Sequence, residues 1–346
     1  MKKVLVVLGV LVLMMATAVW VASWFWAGDV VSAAVARPWP YDLGPLDKVP
    51  DRYPLQQESE GARKLTRLAE PLVESDAVAN YVRQEIARGD LTIGEPPEMA
   101  DLTAIRDLLL REPVVWARGI GRQHGGLLPR VAMHRSLTRA LIGSALARAR
   151  RDDAGAWDDL RAAWNLTKSL HGHPHLTLRL MEMSMTRSIN AVAWKMPLPV
   201  PAWFEEVQKR DFVRPLTETL QVEKWWEWHH QKFPLKPFAE AVERERIFTG
   251  ELVRVTECEF QRESRTPAVD IGWQRAFRYR AEREATANAL RARAGQPIDE
   301  RSQCSDGAWQ FDGTTLSFPK PIALPERRDT SMPLTIRISP DPEQGV

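Results

Sequence analysis

The sequence predicts a mainly α-helical protein with an N-terminal transmembrane helix, a body of antiparallel helical hairpins and a small C-terminal β hairpin. Three observations lead to this fold class. Residues 4–26 are apolar or small without interruption, and apolar side chains recur at helical spacings through most of residues 58–295. Residues 309–318 alternate around an Asp-Gly pair, which predicts a hairpin with a type I′ turn. The predicted division is an anchor (1–26), a proline-rich stalk (27–57), a helical body (58–295) and a β-hairpin tail (296–346).

The N-terminal apolar segment is long enough to cross a membrane. As a helix, residues 4–26 would extend about 34 Å, against a hydrocarbon core of about 30 Å. A cleaved secretory signal is the alternative, because small residues suited to a cleavage site end at Ala18 and at Ala36. The uncut signal-anchor explains the whole apolar segment, and its tryptophans cluster towards the end at which one membrane interface would lie.

Flanking charge sets the expected orientation of this helix. Lys2 and Lys3 precede it, and the next basic residue after it is Arg37. The positive-inside rule therefore places the N-terminus in the cytoplasm and the body outside it. We expect a single-pass protein of a bacterial inner (cytoplasmic) membrane whose body is periplasmic or extracellular.

The charge balance excludes one class of partner. The chain has 47 basic and 45 acidic residues, and without Lys2 and Lys3 the two kinds balance at 45 each. Nucleic-acid binding needs a basic face that neutralises phosphates, so no nucleic-acid partner is predicted. Only two cysteines are present, which excludes zinc sites built from four cysteines.

The order of elements follows from prolines and from apolar periodicity. Residues 27–57 contain five prolines and little periodicity, and they predict an extended stalk. Helical periodicity begins after it, and glycines and prolines separate the helices. The predicted helices are 58–72, 76–86, 99–110, 131–150, 156–170, 174–194, 211–230, 238–263 and 271–294. Short connections between them favour antiparallel neighbours.

One of these hairpins resembles a known motif. Residues 137–170, which include the sequence ALARARRDDAGAWDDLRAAWNL, resemble the helix–turn–helix core of a single tetratricopeptide repeat. Ala156, Leu160 and Ala163 occupy the positions at which that motif places small, large and small residues in its second helix. The resemblance implies a helical hairpin of the kind that repeat scaffolds present to protein partners.

A group of tryptophans is the first candidate binding site. Trp225, Trp226 and Trp228 lie in one predicted helix, in which successive residues point about 100° apart. The three rings therefore cannot all face one core, and at least one must lie at a rim, a groove or a contact surface. Core packing is the ordinary explanation of such residues, and stacking on a sugar or a peptide is the functional alternative.

Histidines and cysteines are the other candidate site residues. His171, His173 and His175 alternate in a loop, a pattern that can ligate Zn²⁺ or Cu²⁺, but a polar turn between two helices explains them without a metal. We predict no metal site and no cofactor. Cys258 and Cys304 are predicted to form a disulfide that fastens the tail to the helical body, because an exported body lies in an oxidising compartment.

The sequence contains no recognisable catalytic motif. Gly-x-Ser-x-Gly, His-Glu-x-x-His, a phosphate-binding glycine-rich loop and Cys-x-x-Cys are all absent. The predicted function is therefore non-enzymatic: a membrane-anchored, extracytoplasmic helical scaffold or binding protein of a bacterial envelope, with a protein partner. The alternative is an envelope enzyme or a carbohydrate-binding module that uses the tryptophan-rich helix around residues 225–230.

Overall fold

The computed structural model describes the chain with several gaps. The described residues are 13–19, 29–72, 75–120, 131–230, 235–259, 267–305, 307–320, 322 and 331–338. They are mainly helical, as the sequence predicts, and they include a small three-stranded antiparallel sheet near the C-terminus.

The structure corrects the prediction of a transmembrane helix. Of residues 4–26, only 13–19 are described, and the rest lie outside the described part of the chain. A span needs about 20 consecutive apolar residues in one helix. No helix within the described ranges combines that length with that apolarity; the long helix Pro267–Arg293, for example, contains many charged residues. The predicted single-pass inner-membrane location with an exported body depended on this helix and is corrected with it, whereas the predicted partners stay predictions.

The chain divides into two compact units, which we describe separately. Unit 1 combines Met1–Arg52 with Leu220–Val255, and unit 2 combines Tyr53–Thr219 with Thr256–Val346. The predicted division into anchor, stalk, body and tail differs from these two units, because residues 58–295 contribute to both of them. Tertiary contacts define the units, and apolar periodicity along the chain does not report such contacts.

Unit 1 contains the proline-rich segment that the sequence predicts to be an extended stalk. The structure shows a folded segment instead. Trp39, Leu46 and Val49 are buried, and the amide of Trp39 donates to the carbonyl of Gly44 at 3.0 Å. The elements of unit 1 are a helical stretch (residues 13–19), α1 (residues 29–36), a 3₁₀ turn (Leu46–Lys48), α2 (Val49–Arg52), the second part of α10 (Val213–His230) and α11 (Leu235–Leu252).

Unit 2 is built around three helices that pack against one another, α6, α7 and α8. Its helices are α3 (Glu60–Ala69), α4 (Asp76–Ala87), α5 (Thr103–Arg111), α6 (Val131–Ala149), α7 (Ala156–Lys168), α8 (Leu176–Ala193), α9 (Phe204–Lys209), the first part of α10 and α12 (Pro267–Arg293). Helix α4 packs on α6 and α8, and α12 packs on α8. In the α6–α7 hairpin, Ala156, Leu160 and Ala163 are fully buried.

Local capping explains where two of these helices begin. The side chain of Ser59 accepts the amide of Ala62 at 3.2 Å, so α3 starts later than the apolar pattern suggests. The side chain of Ser75 accepts the amide of Val78 at 3.4 Å, so Ser75 caps α4 and Asp76 is its first residue. Serine is a preferred N-cap residue because its hydroxyl satisfies an amide that has no partner within the helix.

The tail forms a sheet of three short antiparallel strands, β1 (Gln310–Phe311), β2 (Thr315–Ser317) and β3 (Thr335–Arg337). Its first turn is not type I′, which needs a positive φ at two central residues. Phe311 pairs with Leu316, which leaves a four-residue loop, and within this loop only Gly313 has a positive φ. The carboxylate of Asp312 shapes the loop by accepting the amide of Thr315 at 2.7 Å.

A disulfide joins Cys258 and Cys304 in unit 2, with their Cα atoms 5.1 Å apart. This is the pairing that the sequence predicts. Both cysteines are buried, and next to them the amide of Ser305 donates to the carbonyl of Thr256 at 3.0 Å. The bond therefore ties the segment after α12 to the segment before it.

We expect the double variant Cys258→Ser/Cys304→Ser to unfold more easily than the wild type. The bond closes a sequence separation of 46 residues, and loops of this size stabilise a protein by about 2–4 kcal/mol through restriction of the unfolded chain. Urea denaturation followed by tryptophan fluorescence measures this difference. Reductant should lower the stability of the wild type and leave the variant unchanged. Equal midpoints for the oxidised wild type and the variant would contradict the prediction.

Candidate functional site

The predicted tryptophan cluster lies in unit 1, in the second part of α10. Trp225 is buried, whereas Trp226 and Trp228 are half-buried. Each of the first two rings lies against a histidine one turn later: Trp225 and His229 have centroids 4.1 Å apart, and Trp226 stacks on His230 at 3.7 Å. One face of each indole is therefore covered by a side chain of the same helix. Sugar or peptide stacking by this helix stays a prediction.

The histidine loop lies in unit 2 between α7 and α8. His171 Nε2 is 3.1 Å from Glu182 Oε1, and its ring meets Trp164 edge-on at 5.4 Å between centroids. His173 and His175 are buried, with ring centroids 5.7 Å apart. In the part of the chain that the structure describes, no group of three His, Cys, Asp or Glu side chains could hold a metal ion.

Glu182 is the centre of a buried charge network around this loop. Its carboxylate pairs with Arg179 and accepts Arg210 Nε at 2.9 Å. Burial by itself would raise the pKa of Glu182, but the positive charge of Arg179, helped by His171 and Arg210, lowers it to about 2. The carboxylate is therefore ionised at neutral pH, and it holds the loop against α8.

Burial by itself raises the pKa of a carboxyl group but lowers the pKa of a histidine, because it disfavours the charged form of each. Burial, followed by the neighbouring His175, lowers the pKa of His173 to about 3. His173 is therefore neutral throughout the physiological range, and the loop has the properties of a packed structural element.

Unit 2 contains a cavity of about 330 Å³ with largely polar walls. It lies between α4, α6, α8 and α12, and hydroxyl groups and apolar side chains complete its walls. Among the described residues that line it there is no acidic side chain. Its walls contain five arginines, Arg83, Arg135, Arg139, Arg187 and Arg275.

The helical repeat explains why these side chains share one cavity. Residues three and four apart lie on the same face of a helix. By this spacing α4, α6 and α8 each present a stripe to the cavity: Ala79, Val82, Arg83 and Ile86; Arg135, Thr138, Arg139 and Ile142; Ser184, Met185, Arg187 and Ser188.

The sequence does not by itself reveal this site, although it contains one signal. Residues 131–151 contain five arginines and no acidic residue. The balanced charge of the whole chain concealed this local excess. Only the packing of four helices shows that Arg83, Arg187 and Arg275 join Arg135 and Arg139.

One wall of the cavity is held by a buried ion-pair network. Arg187 binds the carboxylate of Glu282 in a bidentate manner, with Nε–Oε2 at 2.9 Å and Nη2–Oε1 at 2.8 Å. Arg278 Nε donates to the same Oε1 at 3.1 Å. Two guanidinium groups thus share one carboxylate.

Two further observations mark the cavity as a place for a ligand. Thr138 is 2% exposed and lines the cavity, and its hydroxyl has no hydrogen-bond partner among the described residues. Buried hydroxyls are normally paired with protein groups or ordered water, so this one is available to a water molecule or to a ligand in the cavity. Arg83 is exposed at the mouth, and its one partner within the described ranges is the neutral Asn80 Oδ1 at 2.9 Å.

Comparisons with known proteins give no family for this chain: no family model, no curated protein and no solved structure matches it. Its function is therefore argued from the geometry and charge of its own sites.

We expect acidification to destabilise the protein first through His173. Because burial keeps this histidine neutral when folded, below its ordinary pKa of 6.5 the unfolded chain takes up the proton first. The stabilising contribution is complete above pH 6.5 and is lost as the pH falls towards 3. Between pH 6.5 and pH 5 the loss is about 2 kcal/mol, which urea denaturation at a series of pH values measures.

The variants His173→Asn and Glu182→Gln separate two pH windows. His173→Asn should flatten the dependence between pH 7 and pH 5. Glu182→Gln should leave that slope in place, because the lowered pKa of Glu182 gives a contribution that is complete above 4.5 and is lost only below it. A His173→Asn variant with the wild-type slope between pH 7 and pH 5 would show that the histidine is not the titrating group.

Proposed function

We propose that this protein binds an anionic ligand in the arginine-lined cavity of unit 2 and does not convert it chemically. The observation that supports this most directly is the set of five arginines around one cavity whose described lining contains no acidic side chain. Guanidinium groups match carboxylates and phosphates in geometry and charge. An anion between them would also reduce the repulsion among like charges.

The proposal rests on the summed charge of the walls. Arg187 is engaged by Glu282, and Arg135, Arg139 and Arg275 also make interactions within the protein. Behind Arg187, two guanidinium groups nevertheless share the single carboxylate of Glu282. Arg83 at the mouth contributes a further positive charge, so an entering anion meets a positive field.

The chemistry of the lining favours binding over catalysis. Described residues in the walls include no histidine, cysteine or carboxylate that could act as a general base. The hydroxyls of Thr138, Ser184 and Ser188 have no such base to activate them as nucleophiles. The hydroxyls of Thr138 and Ser184 would instead donate hydrogen bonds to a bound anion, whereas that of Ser188 donates to the carbonyl of Ser184 at 3.0 Å. This proposal keeps the non-enzymatic binding function that the sequence predicts, but its ligand is an anion and not the predicted protein partner.

Inorganic phosphate is the simplest probe of this proposal. We expect calorimetric titration at low ionic strength to show binding that weakens with added salt. Arg83→Gln and Arg139→Gln should each reduce the affinity about 10-fold or more, because a hydrogen bond to a charged group contributes about 1.5–3 kcal/mol. The matched control is Arg111→Gln, since Arg111 is exposed and pairs with Asp107 on α5, away from the cavity.

Thr138→Val separates ligand binding from folding. Valine has nearly the shape of threonine but no hydroxyl, so the variant removes a buried polar group that lacks a partner. We expect phosphate affinity to fall while the free energy of unfolding stays equal or rises. Unchanged phosphate affinity in both Thr138→Val and Arg139→Gln would overturn the proposed site.

A further inference from the structure

A second cavity, also of about 330 Å³, shares part of its wall with the arginine-lined one. Ala79 and Arg139 line both cavities. The lining of the second cavity is mainly apolar, with side chains from α3, α4, α6 and the segment before α5. Its apolar members are Ala69, Leu72, Val78, Ala79, Met99, Ala100, Leu102, Ala132, Met133, Leu137 and Ala140.

Two faces of α6 line the two cavities with different kinds of side chain. Met133, Leu137 and Ala140 recur at spacings of four and three and line the apolar cavity. Arg135 and Thr138, on the adjacent face, line the arginine cavity. On α4 a single stripe runs from Ser75 and Val78 in the apolar cavity to Val82 and Arg83 in the arginine cavity, through Ala79.

The charged residues of the apolar cavity are acidic at one end and basic at the other. Glu70 and Glu98 line it and are both exposed. They put negative charge at its outer rim, whereas Arg139 lies where the two cavities share a wall. An anionic group is therefore disfavoured at the rim and favoured on the arginine side.

We infer that the ligand is an amphipathic anion with a single short apolar tail. The head, a carboxylate, phosphate or sulfate, lies among the arginines, and the tail lies in the apolar cavity. This inference rests on the proposed function and adds the class of ligand to it. Each cavity is at the lower end of the volume range of ligand pockets, about 300–1,000 Å³, which fits one tail and not the two tails of a membrane phospholipid.

The inference predicts a dependence of affinity on tail length. Burial of each methylene group should strengthen binding about three- to fourfold until the apolar cavity is full. The probes are n-alkyl phosphates from methyl to decyl, titrated calorimetrically below the concentrations at which they form micelles. Alkyl trimethylammonium ions with the same tails are the matched control, because they keep the tail and reverse the charge of the head.

Two variants locate the tail. Ala140→Phe places a large ring in the apolar cavity and should abolish the gain in affinity with tail length while methyl phosphate still binds. Ala132→Phe, at an exposed position of the same cavity, repeats the test if Ala140→Phe does not fold. Arg139→Gln should weaken methyl phosphate and octyl phosphate by the same factor, because it acts on the head.

The outcomes distinguish this inference from the proposed function. Methyl phosphate binding that Arg139→Gln weakens, without any gain from longer tails, would overturn the amphipathic ligand and leave the anion site. Equal binding of octyl phosphate and octyl trimethylammonium would overturn both, since the charge of the head would then be irrelevant. No binding of any alkyl phosphate would overturn both as well.

Discussion

The carboxylate of Glu282 is the interaction on which the packing of unit 2 depends. It lies on α12 and accepts both Arg187 of α8 and Arg278 one turn earlier on α12. Arg278 in turn donates to the carbonyls of Ile322 and Met332 in the tail. Glu282 thus links α8 to α12 and, through Arg278, to the tail segments that contain Ile322 and Met332. Without this carboxylate, two buried guanidinium groups would lose the counter-charge that they share, which is costly.

The same network gives the cavity its electrostatic character. Around Glu182, two arginines also share one carboxylate, but there the histidine loop packs against the acid with His171. Around Glu282, one side of the network forms a cavity wall through Arg187. The first network therefore borders packed side chains, whereas the second borders a cavity. This difference in surroundings separates a structural ion pair from a candidate ligand site.

The cavity and its apolar neighbour follow from the way in which α4 crosses α6. Val82 and Ile86 pack against the same wall as Arg83, so a charged and an apolar stripe share one face of α4. Met99 approaches α6 closely because Gly143 has no side chain: a Cβ added there would lie 3.0 Å from Met99 Cε. Gly143 thus permits the close approach of the segment before α5 to α6, and the two cavities share Ala79 and Arg139 in their walls.

The sequence by itself determined the helical character of most of residues 58–295, the α6–α7 hairpin and the paired strands of the tail, because periodicity and turn residues act over short distances. The pairing of Cys258 with Cys304 spans 46 residues, and its prediction rests on the expected oxidising compartment and not on a local pattern. The prediction of a membrane-spanning helix over residues 4–26 is corrected, because no helix among the described residues, which include only 13–19 of this segment, has the length and apolarity of a span. Only the tertiary structure decided that residues 220–255 form a unit with the first 52, and that Arg83, Arg139 and Arg187 surround one cavity. Those arginines are separated by about 50 residues or more along the chain, and no local pattern encodes which helix faces will meet.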